Sequence, residues 1–231
     1  MKFVIPILLF TLAATLSAVG KSYVPEDLAG DQYQALVAQF GNNKTLLEGY
    51  EGQILIALSH YPQLKDVRIK FRFVENGIPL TARPTFWSTV FRSAKKRTYL
   101  ITIAKDTDPR WAPILFHNLP YNAQIGVIGH EIAHVAEFSE RSFWGMLQVL
   151  IGNLSKKFMD RLEYNTDLIT IRHGLGFQLL AWSTYVREVL QIADDYGDSM
   201  PNEVAQSERY MSPATIRRYM AEEDIYALEK P

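Results

Sequence analysis

The feature that most constrains the fold is the stretch GVIGHEIAHVAEF, residues 126 to 138, in which polar and apolar side chains separate at the period of an α-helix. Isoleucines and valines fall on one side of the predicted helix, and His130 and His134 fall together on the other. Gly126 and Gly129 form, with one alanine, a third strip almost without side chains. Because glycine weakens a helix interior by about 1 kcal/mol relative to alanine, we expect another element to pack closely against this strip.

The polar side of this helix has the pattern His-Glu-x-x-His, formed by His130, Glu131 and His134. Residues four apart on an α-helix lie one turn apart on the same face, so the two imidazoles can bind one metal ion. Glu131 lies about 100° further round, where its carboxylate can reach a water molecule without binding the metal itself. The pattern therefore predicts a zinc site with Glu131 as general base. The alternative, three residues on a solvated helix face, fits the glycine strip and isoleucine stripe less well.

The N-terminal segment indicates export. Residues 1–20 contain one lysine, an apolar run and a small-residue end, which is typical of a secretory signal peptide. The apolar run is shorter than the ~20 residues of a spanning helix, so a membrane anchor is the less favoured alternative. We therefore expect one domain, residues 21–231, located in the periplasm or secreted. The 231 residues include no cysteine and carry a net charge of −1, so the composition suggests neither disulfides nor a nucleic-acid partner.

Periodicity predicts scaffold elements before the motif helix. Two helices are expected, one capped by Asp31 and one ending near Tyr61, followed by an alternating strand at residues 67–73. A broken strand at residues 78–91 contains two prolines, which restrict it to an edge or a bulge. Residues 98–104, TYLITIA, form the strongest strand. This strand is our candidate for the sheet edge that binds an extended substrate, and a central buried strand is the open alternative.

Other stretches carry weaker expectations. Lys95, Lys96 and Arg97 are expected in a solvated loop, Asn122 as the cap of the motif helix, and His117 as a surface or packing residue that could face the site. The sequence predicts a final helix capped by Ser212. An acidic, turn-rich stretch at 194–208 is expected to be a surface connection, and a lid is the alternative.

The stretch FWGMLQVLIGNL, residues 143–154, is apolar on nearly all sides but too short to span a bilayer. We expect it to be buried under the domain. Contact with a membrane surface, or a place in a substrate pocket, is the alternative.

A catalytic zinc site normally has three protein ligands, so the two histidines need a partner elsewhere. Glu140 stands where the extended pattern HExxHxxGxxH has its third histidine, although Glu137 replaces the glycine of that pattern. Glu163 lies in a later helical stretch, residues 157 to 172, with Asp167 one turn further on the same face. A carboxylate pair on the inner side of a helix needs a cation or a donor. From the residues alone, Glu140 and Glu163 both remain candidates for the third ligand.

Two motifs in this order, GHEIAH at residues 129 to 134 and EYNTD at residues 163 to 167, resemble those of the gluzincin zinc metallopeptidases, the thermolysin-like clan. In that family a glutamate on a second helix is the third zinc ligand. An aspartate four residues later hydrogen-bonds a zinc-binding histidine.

The resemblance implies that His130, His134 and Glu163 hold one zinc ion per chain and that Glu131 is the base. It also implies that Asp167 accepts a hydrogen bond from the non-ligating nitrogen of a zinc histidine, for which His130 is our choice. In better-known relatives a histidine or tyrosine stabilises the oxyanion. The candidates for that role in this chain are His173, Tyr121 and Tyr210.

The fold expected from these observations is α+β and zincin-like, with a small antiparallel or mixed sheet, an active-site helix and a mainly helical C-terminal half. The expected activity is zinc-dependent hydrolysis of peptide bonds in a protein or peptide substrate. We expect no nucleic-acid partner and no transmembrane segment in the mature chain. The alternative function is a non-catalytic exported binding or assembly domain that zinc stabilises.

Overall fold

The structure, a computed structural model, describes residues 22–28, 30–85, 89, 92–93, 96–192 and 209–229. The expected signal segment and the acidic stretch at 194–208 lie outside these residues. Within them the fold is α+β, with a small mixed sheet and a mainly helical C-terminal half. No helix in this part of the chain has both the length and the apolar character that crossing a membrane requires.

The sheet has four strands in the order β1-β2-β4-β3, and β1, β2 and β4 run parallel while β3 is antiparallel to β4. The strands are β1 Lys44–Thr45, β2 Arg68–Asn76, β3 Leu80–Pro84 and β4 Thr98–Asp106. In β2 the predicted alternation is confirmed, because Ile69 and Phe71 are buried while Arg68, Lys70 and Arg72 are exposed.

Of the two alternatives for residues 98–104, the central buried strand is confirmed and the sheet edge is wrong. β4 pairs with β2 on one side and with β3 on the other, and every residue from Tyr99 to Ala104 is buried. A strand covered on both faces reads as a continuous apolar run, which is the pattern in this stretch. The edge strands are β1 and β3, and β3 contains Pro84, as the prolines in this region predicted.

Seven α-helices lie in the described residues. They are α1 Asp31–Phe40, α2 Glu51–Ser59, α3 Tyr121–Glu140, α4 Phe143–Gly152, α5 Lys156–Thr170, α6 Gly176–Val189 and α7 Pro213–Glu222. A π-helical turn, Ile171–Leu175, joins α5 to α6, and Gly174 has a φ of 85° there. Ser212 caps α7 as predicted, because its side chain accepts a hydrogen bond from the N–H of Thr215.

Two predicted caps are wrong. Asp31 is the first residue of α1 and makes no capping hydrogen bond. Asn122 lies inside the first turn of α3, where its side chain exchanges two hydrogen bonds with the backbone of Tyr23 instead. The competing partner, the N-terminal segment before α1, is distant in sequence. It therefore could not be inferred from local pattern.

The motif helix α3 packs closely against α6 and against the π-helical turn that precedes it. A Cβ atom built on Gly126 would lie 2.2 Å from the backbone oxygen of Gln178, and one on Gly129 would lie 2.4 Å from Leu175 Cδ1. The close approach expected at the glycine strip is therefore confirmed. The opposite stripe, including Ile125, Ile128 and Ile132, is fully buried in the core.

Arg97 is buried rather than solvated, with 2% of its surface exposed. Its guanidinium donates hydrogen bonds to the carbonyl oxygens of Phe138 and Arg141 at the end of α3. The last carbonyls of a helix lack partners within the helix and carry partial negative charge, so a cation there stabilises the helix end. Arg97 thus fixes the end of the helix that carries the motif.

Helix α4 does not lie under the domain. Met146 and Val149 are its buried residues, while Phe143, Trp144 and Leu150 are exposed. The prediction that residues 143–154 are buried is therefore wrong. The apolar pattern indicated a helix correctly, but an all-round apolar helix does not reveal which face the domain covers.

Candidate metal centre

Three buried side chains from two helices converge on one point. His130 and His134 come from α3 and Glu163 comes from α5. Glu163 Oε2 lies 3.1 Å from His130 Nε2 and 3.2 Å from His134 Nε2. The four-residue step along α3 stacks the two imidazoles, and α5 crosses α3 so that Glu163 faces both.

The donor set and its spacing fit a metal ion. With bonds of about 2.0–2.1 Å and tetrahedral angles, the ligand atoms of a zinc site lie about 3.3 Å apart, close to the separations in this cluster. Two imidazole nitrogens and one carboxylate oxygen are also the donors of known catalytic zinc sites. The buried cluster of His130, His134 and Glu163 can therefore hold a metal ion.

The orientation of His130 is set by Asp167, one turn after Glu163 on α5. His130 Nδ1 lies 2.8 Å from Asp167 Oδ1, and the other oxygen of Asp167 accepts the backbone N–H of Met211 at 2.8 Å. A carboxylate accepts, so Nδ1 carries the proton and Nε2 is the nitrogen that faces the cluster.

His134 has an equivalent partner that we did not single out from the sequence. Thr166 Oγ1 donates to the carbonyl of Leu162 at 2.9 Å and lies 3.1 Å from His134 Nδ1. Because the hydroxyl proton is used toward Leu162, the oxygen accepts from Nδ1–H of His134. The signal was present in the sequence, since Thr166 lies three residues after Glu163 and so shares its side of α5.

The electrostatics of the cluster favour positive charge. Burial by itself disfavours a charged His130, but hydrogen bonds to Asp167 and Glu163 outweigh burial and raise the pKa of His130 to about 10. For Glu163, burial opposes ionisation, yet the hydrogen bonds from both histidines hold its pKa well below the usual range. The carboxylates therefore stabilise a cation at this position, whether a proton or a metal ion.

Glu131 lies beside the cluster and faces the sheet edge. It is buried, and this burial raises the pKa of its carboxyl although a hydrogen bond from the backbone N–H of Ala82 on β3 acts in the opposite direction. A raised pKa is what a carboxylate needs to accept and return a proton near neutral pH. Glu131 thus connects α3 with the edge strand.

In the described residues β3 pairs with one strand only, so the side of β3 away from β4 is an edge of the sheet. Thr85 donates to the carbonyl of Thr98 and Ala104 donates to that of Pro79, so the odd-numbered residues of β3 bond to β4. In an antiparallel pair the alternate residues direct their N–H and C=O groups to the other side. Ala82 is one of these, and its N–H is the donor that reaches Glu131.

Of the three candidates for oxyanion stabilisation, Tyr210 lies against the cluster. Its ring centroid is 5.8 Å from that of His130 and 5.8 Å from that of Trp182. Tyr210 as a whole is 40% exposed, but partial burial of its phenol, with the charge of Glu163 next in importance, raises the pKa of the phenol, so it stays protonated and can donate.

The other two candidates have different neighbours. His173 stacks on Tyr61 with ring centroids 4.4 Å apart and hydrogen-bonds the carbonyl of Ile169. Tyr121 lies near α2, its hydroxyl 3.7 Å from a Cβ built on Gly52. The structure does not bring either one to the cluster.

Glu140, the alternative third ligand, is exposed at the end of α3 and is not part of the cluster. Glu137 pairs with Arg141 instead. His117 is also exposed, in a 3₁₀ turn before α3. Of the two glutamates that the sequence left open, the structure places Glu163 beside the histidines.

Comparison with protein-family models, with curated proteins and with solved structures finds no match. The class of the protein must therefore be argued from the geometry of its site.

Proposed function

We propose that the protein is a zincin-like metallopeptidase that hydrolyses peptide bonds with the help of one zinc ion. The observation that carries this proposal is the convergence of His130, His134 and Glu163 with Glu131 directly beside them. The two histidines come before the glutamate along the chain, and this is the order of ligands in the gluzincins, whose motifs the two motifs of this chain resemble. The apolar N-terminal segment supports export to the periplasm or the medium.

Zinc suits this donor set better than magnesium or calcium, which prefer oxygen ligands. Bound zinc supplies a Lewis acid that polarises the scissile carbonyl and lowers the pKa of a water molecule toward ~7. His130, His134 and Glu163 hold it, while Asp167 and Thr166 keep each Nε2 directed at it.

Glu131 performs the proton transfers in this mechanism. Its carboxylate takes a proton from the attacking water and returns it to the nitrogen of the leaving amine. The low exposure of Glu131, 7%, supports this role, since burial brings its pKa closer to the working pH. Tyr210, protonated and packed on His130, is the donor that we assign to the developing oxyanion.

The open edge of β3 is where we place the substrate backbone. An extended peptide can pair with the C=O groups that Leu80, Ala82 and Pro84 direct away from β4, as in other cases where a peptide adds a strand to a sheet. The hydrogen bond between Ala82 and Glu131 places that edge beside the base. Backbone pairing of this kind carries little sequence information, so side-chain pockets would set the specificity.

A non-catalytic domain with a structural metal is less well supported. Structural zinc sites usually have four protein ligands. In the described residues the group of possible ligands has three members, which leaves a position open for water.

The test of the proposed function is Glu131→Gln, assayed on an unstructured protein with added zinc. An amide cannot accept the proton from water, so kcat should fall at least about 100-fold while zinc stoichiometry, measured by metal analysis, stays near one. Glu140→Gln on the same helix is the matched control and should keep full activity. Undiminished hydrolysis by Glu131→Gln would show that the base lies elsewhere, and no bound zinc in the wild-type protein would remove the proposal.

A further inference from the structure

Helix α4 presents an apolar face with no covering element among the residues that the structure describes. At about 100° per residue, Phe143, Trp144, Leu147, Leu150 and Ile151 fall within an arc of about 120°. Trp144, Leu150 and Ile151 are 69%, 66% and 61% exposed. Leu154, just after the helix, is 89% exposed and extends this face. We call these six residues the α4 face.

The charge near the α4 face is positive at its α5 end. From residue 137 to residue 161 the chain contains four basic and three acidic residues, and Glu140, exposed at the end of α3, is the acidic residue nearest the start of α4. Arg141 pairs with Glu137 and Lys156 pairs with Asp160, which neutralises those two cations. Lys157 and Arg161 are further exposed cations in the first turns of α5. The α4 face is therefore apolar, with a cationic border at its α5 end.

We propose that the α4 face docks on an anionic phospholipid surface, with the helix axis parallel to the bilayer. A short helix with tryptophan, phenylalanine and leucine on one side and lysines nearby is typical of helices that lie in the headgroup region. The aromatic pair at the start of α4 suits the polar-apolar boundary. The helix is too short to span a bilayer, so contact is limited to one leaflet.

A second copy of the chain is a poorer occupant. A stable interface buries about 800 Å² per partner and draws on 20–30 residues, far more than one short helix face offers. Two copies joined by the same face would also bring their cationic borders together. A lipid surface meets both the apolar arc and the positive charge at once.

The absence of cysteine makes a site-specific test possible. Ile151→Cys places one thiol on the α4 face, and Ile78→Cys places one at the β2–β3 turn, where the native side chain is comparably exposed at 68%. Each is labelled in the full chain with an environment-sensitive fluorophore. The label reports on its own position, whatever residues 1–21 contribute to membrane binding.

Vesicles of equal parts phosphatidylglycerol and phosphatidylcholine should shift the emission at residue 151 to the blue and raise its intensity severalfold. The label at residue 78 should not respond. Adding Lys157→Glu to the Ile151→Cys chain should weaken the response to these vesicles by about tenfold in lipid concentration. The matched charge reversal Lys70→Glu on β2 should leave the response of the label unchanged. Leu150→Glu on the α4 face should abolish that response. Glutamate in the first turn of a helix is favourable, so the Lys157 variant should fold.

Four outcomes would overturn the proposal. The label at residue 151 could stay unchanged with both mixed and pure phosphatidylcholine vesicles. It could already be shielded without lipid, which would indicate another segment of the chain on the α4 face. It could respond to protein concentration alone, with dimers seen by sedimentation, which would indicate a second copy. An equal response to pure phosphatidylcholine would refute the role of the cationic border. None of these results depends on the metal site.

Discussion

At the residue scale, the imidazoles of His130 and His134 both direct Nε2 to the cluster because Nδ1 of each ring is hydrogen-bonded to a residue on α5. Asp167 holds one ring and Thr166 holds the other, and both residues are fully buried on α5. A single helix thus supplies Glu163 and the partner of each histidine. Loss of any of these groups should lower metal affinity more than it lowers the stability of the fold.

The third ligand can be tested by comparing two glutamates. Glu163→Ala removes a metal ligand itself. Its zinc affinity should therefore fall by more than the roughly 10 to 100-fold that is typical when a residue hydrogen-bonded to a ligand is removed. Glu140→Ala, at the exposed end of α3, should bind zinc as the wild type does. Competition with a zinc chelator ranks the two. The reverse ranking would exclude the gluzincin arrangement.

Thr166 offers a test that the sequence motif does not suggest. Thr166→Val keeps the shape of the side chain but leaves Nδ1–H of His134 without an acceptor, so zinc affinity should fall by about 10 to 100-fold. Thr166→Ser retains the hydroxyl and should stay within a few fold of wild type. The same chelator competition measures both. If the valine variant binds zinc normally, the hydroxyl does not orient His134.

At the element scale, the site depends on the close contact of α3 with α6. Gly126 of α3 allows this contact, because any side chain there would overlap the backbone of Gln178. The backbone of α6 is fixed by its own hydrogen bonds and cannot yield as a side chain could. The loss of helix propensity at glycine is therefore offset by packing.

We expect Gly126→Ala to lower the free energy of unfolding by about 1–3 kcal/mol, as overpacking usually does. Gly145→Ala on α4 is the control, since its nearest neighbour is Arg141 Cβ at 3.3 Å, and its effect should be within about 0.5 kcal/mol. Urea unfolding of the metal-free proteins measures both. Equal stability of Gly126→Ala and wild type would mean that the two helices are not in close contact.

At the scale of the whole molecule, His60 joins the N-terminal segment to the turn between α5 and α6. Its Nδ1–H donates to the carbonyl of His173 at 2.7 Å, and its Nε2 accepts from the hydroxyl of Tyr23 at 2.8 Å. Burial, the larger effect, lowers the pKa of His60 to about 4 even though the hydrogen bond to His173 favours the charged form. His60 is therefore neutral in the folded protein near neutral pH.

This shift makes stability depend on pH in a defined direction. The folded pKa of about 4 lies below the ordinary value of 6.5, so between these values the unfolded chain binds more protons. Stability conferred by neutral His60 is thus complete above the ordinary pKa and is lost as pH falls toward about 4.

When the pH falls from 7 to 4, the free energy of unfolding should decrease in both proteins. The decrease should be about 3 kcal/mol smaller for His60→Gln than for the wild type. His117→Gln, which removes an exposed histidine, is the control and should follow the wild type. Urea unfolding of the metal-free proteins across this pH range measures the difference. Identical pH dependence of His60→Gln and wild type would contradict a buried neutral imidazole.

Residue spacing within one element was sufficient for much of the site and for part of the fold. The placement of His130 with His134, and of Glu163 with Asp167, follows from helix geometry. The alternation in β2 and the edge position of the proline-containing strand follow from strand geometry. In these cases the deciding distances lie along a single helix or strand. Local periodicity therefore determined them.

Only the tertiary structure decided what faces each element. It placed Glu163 rather than Glu140, and Tyr210 rather than His173, beside the histidines. It also made β4 central, buried Arg97 and left the α4 face exposed. The physical reason is that periodicity shows which side of its own helix or strand a residue occupies. Which neighbour covers that side depends on contacts between residues distant in the chain, and no local pattern encodes them.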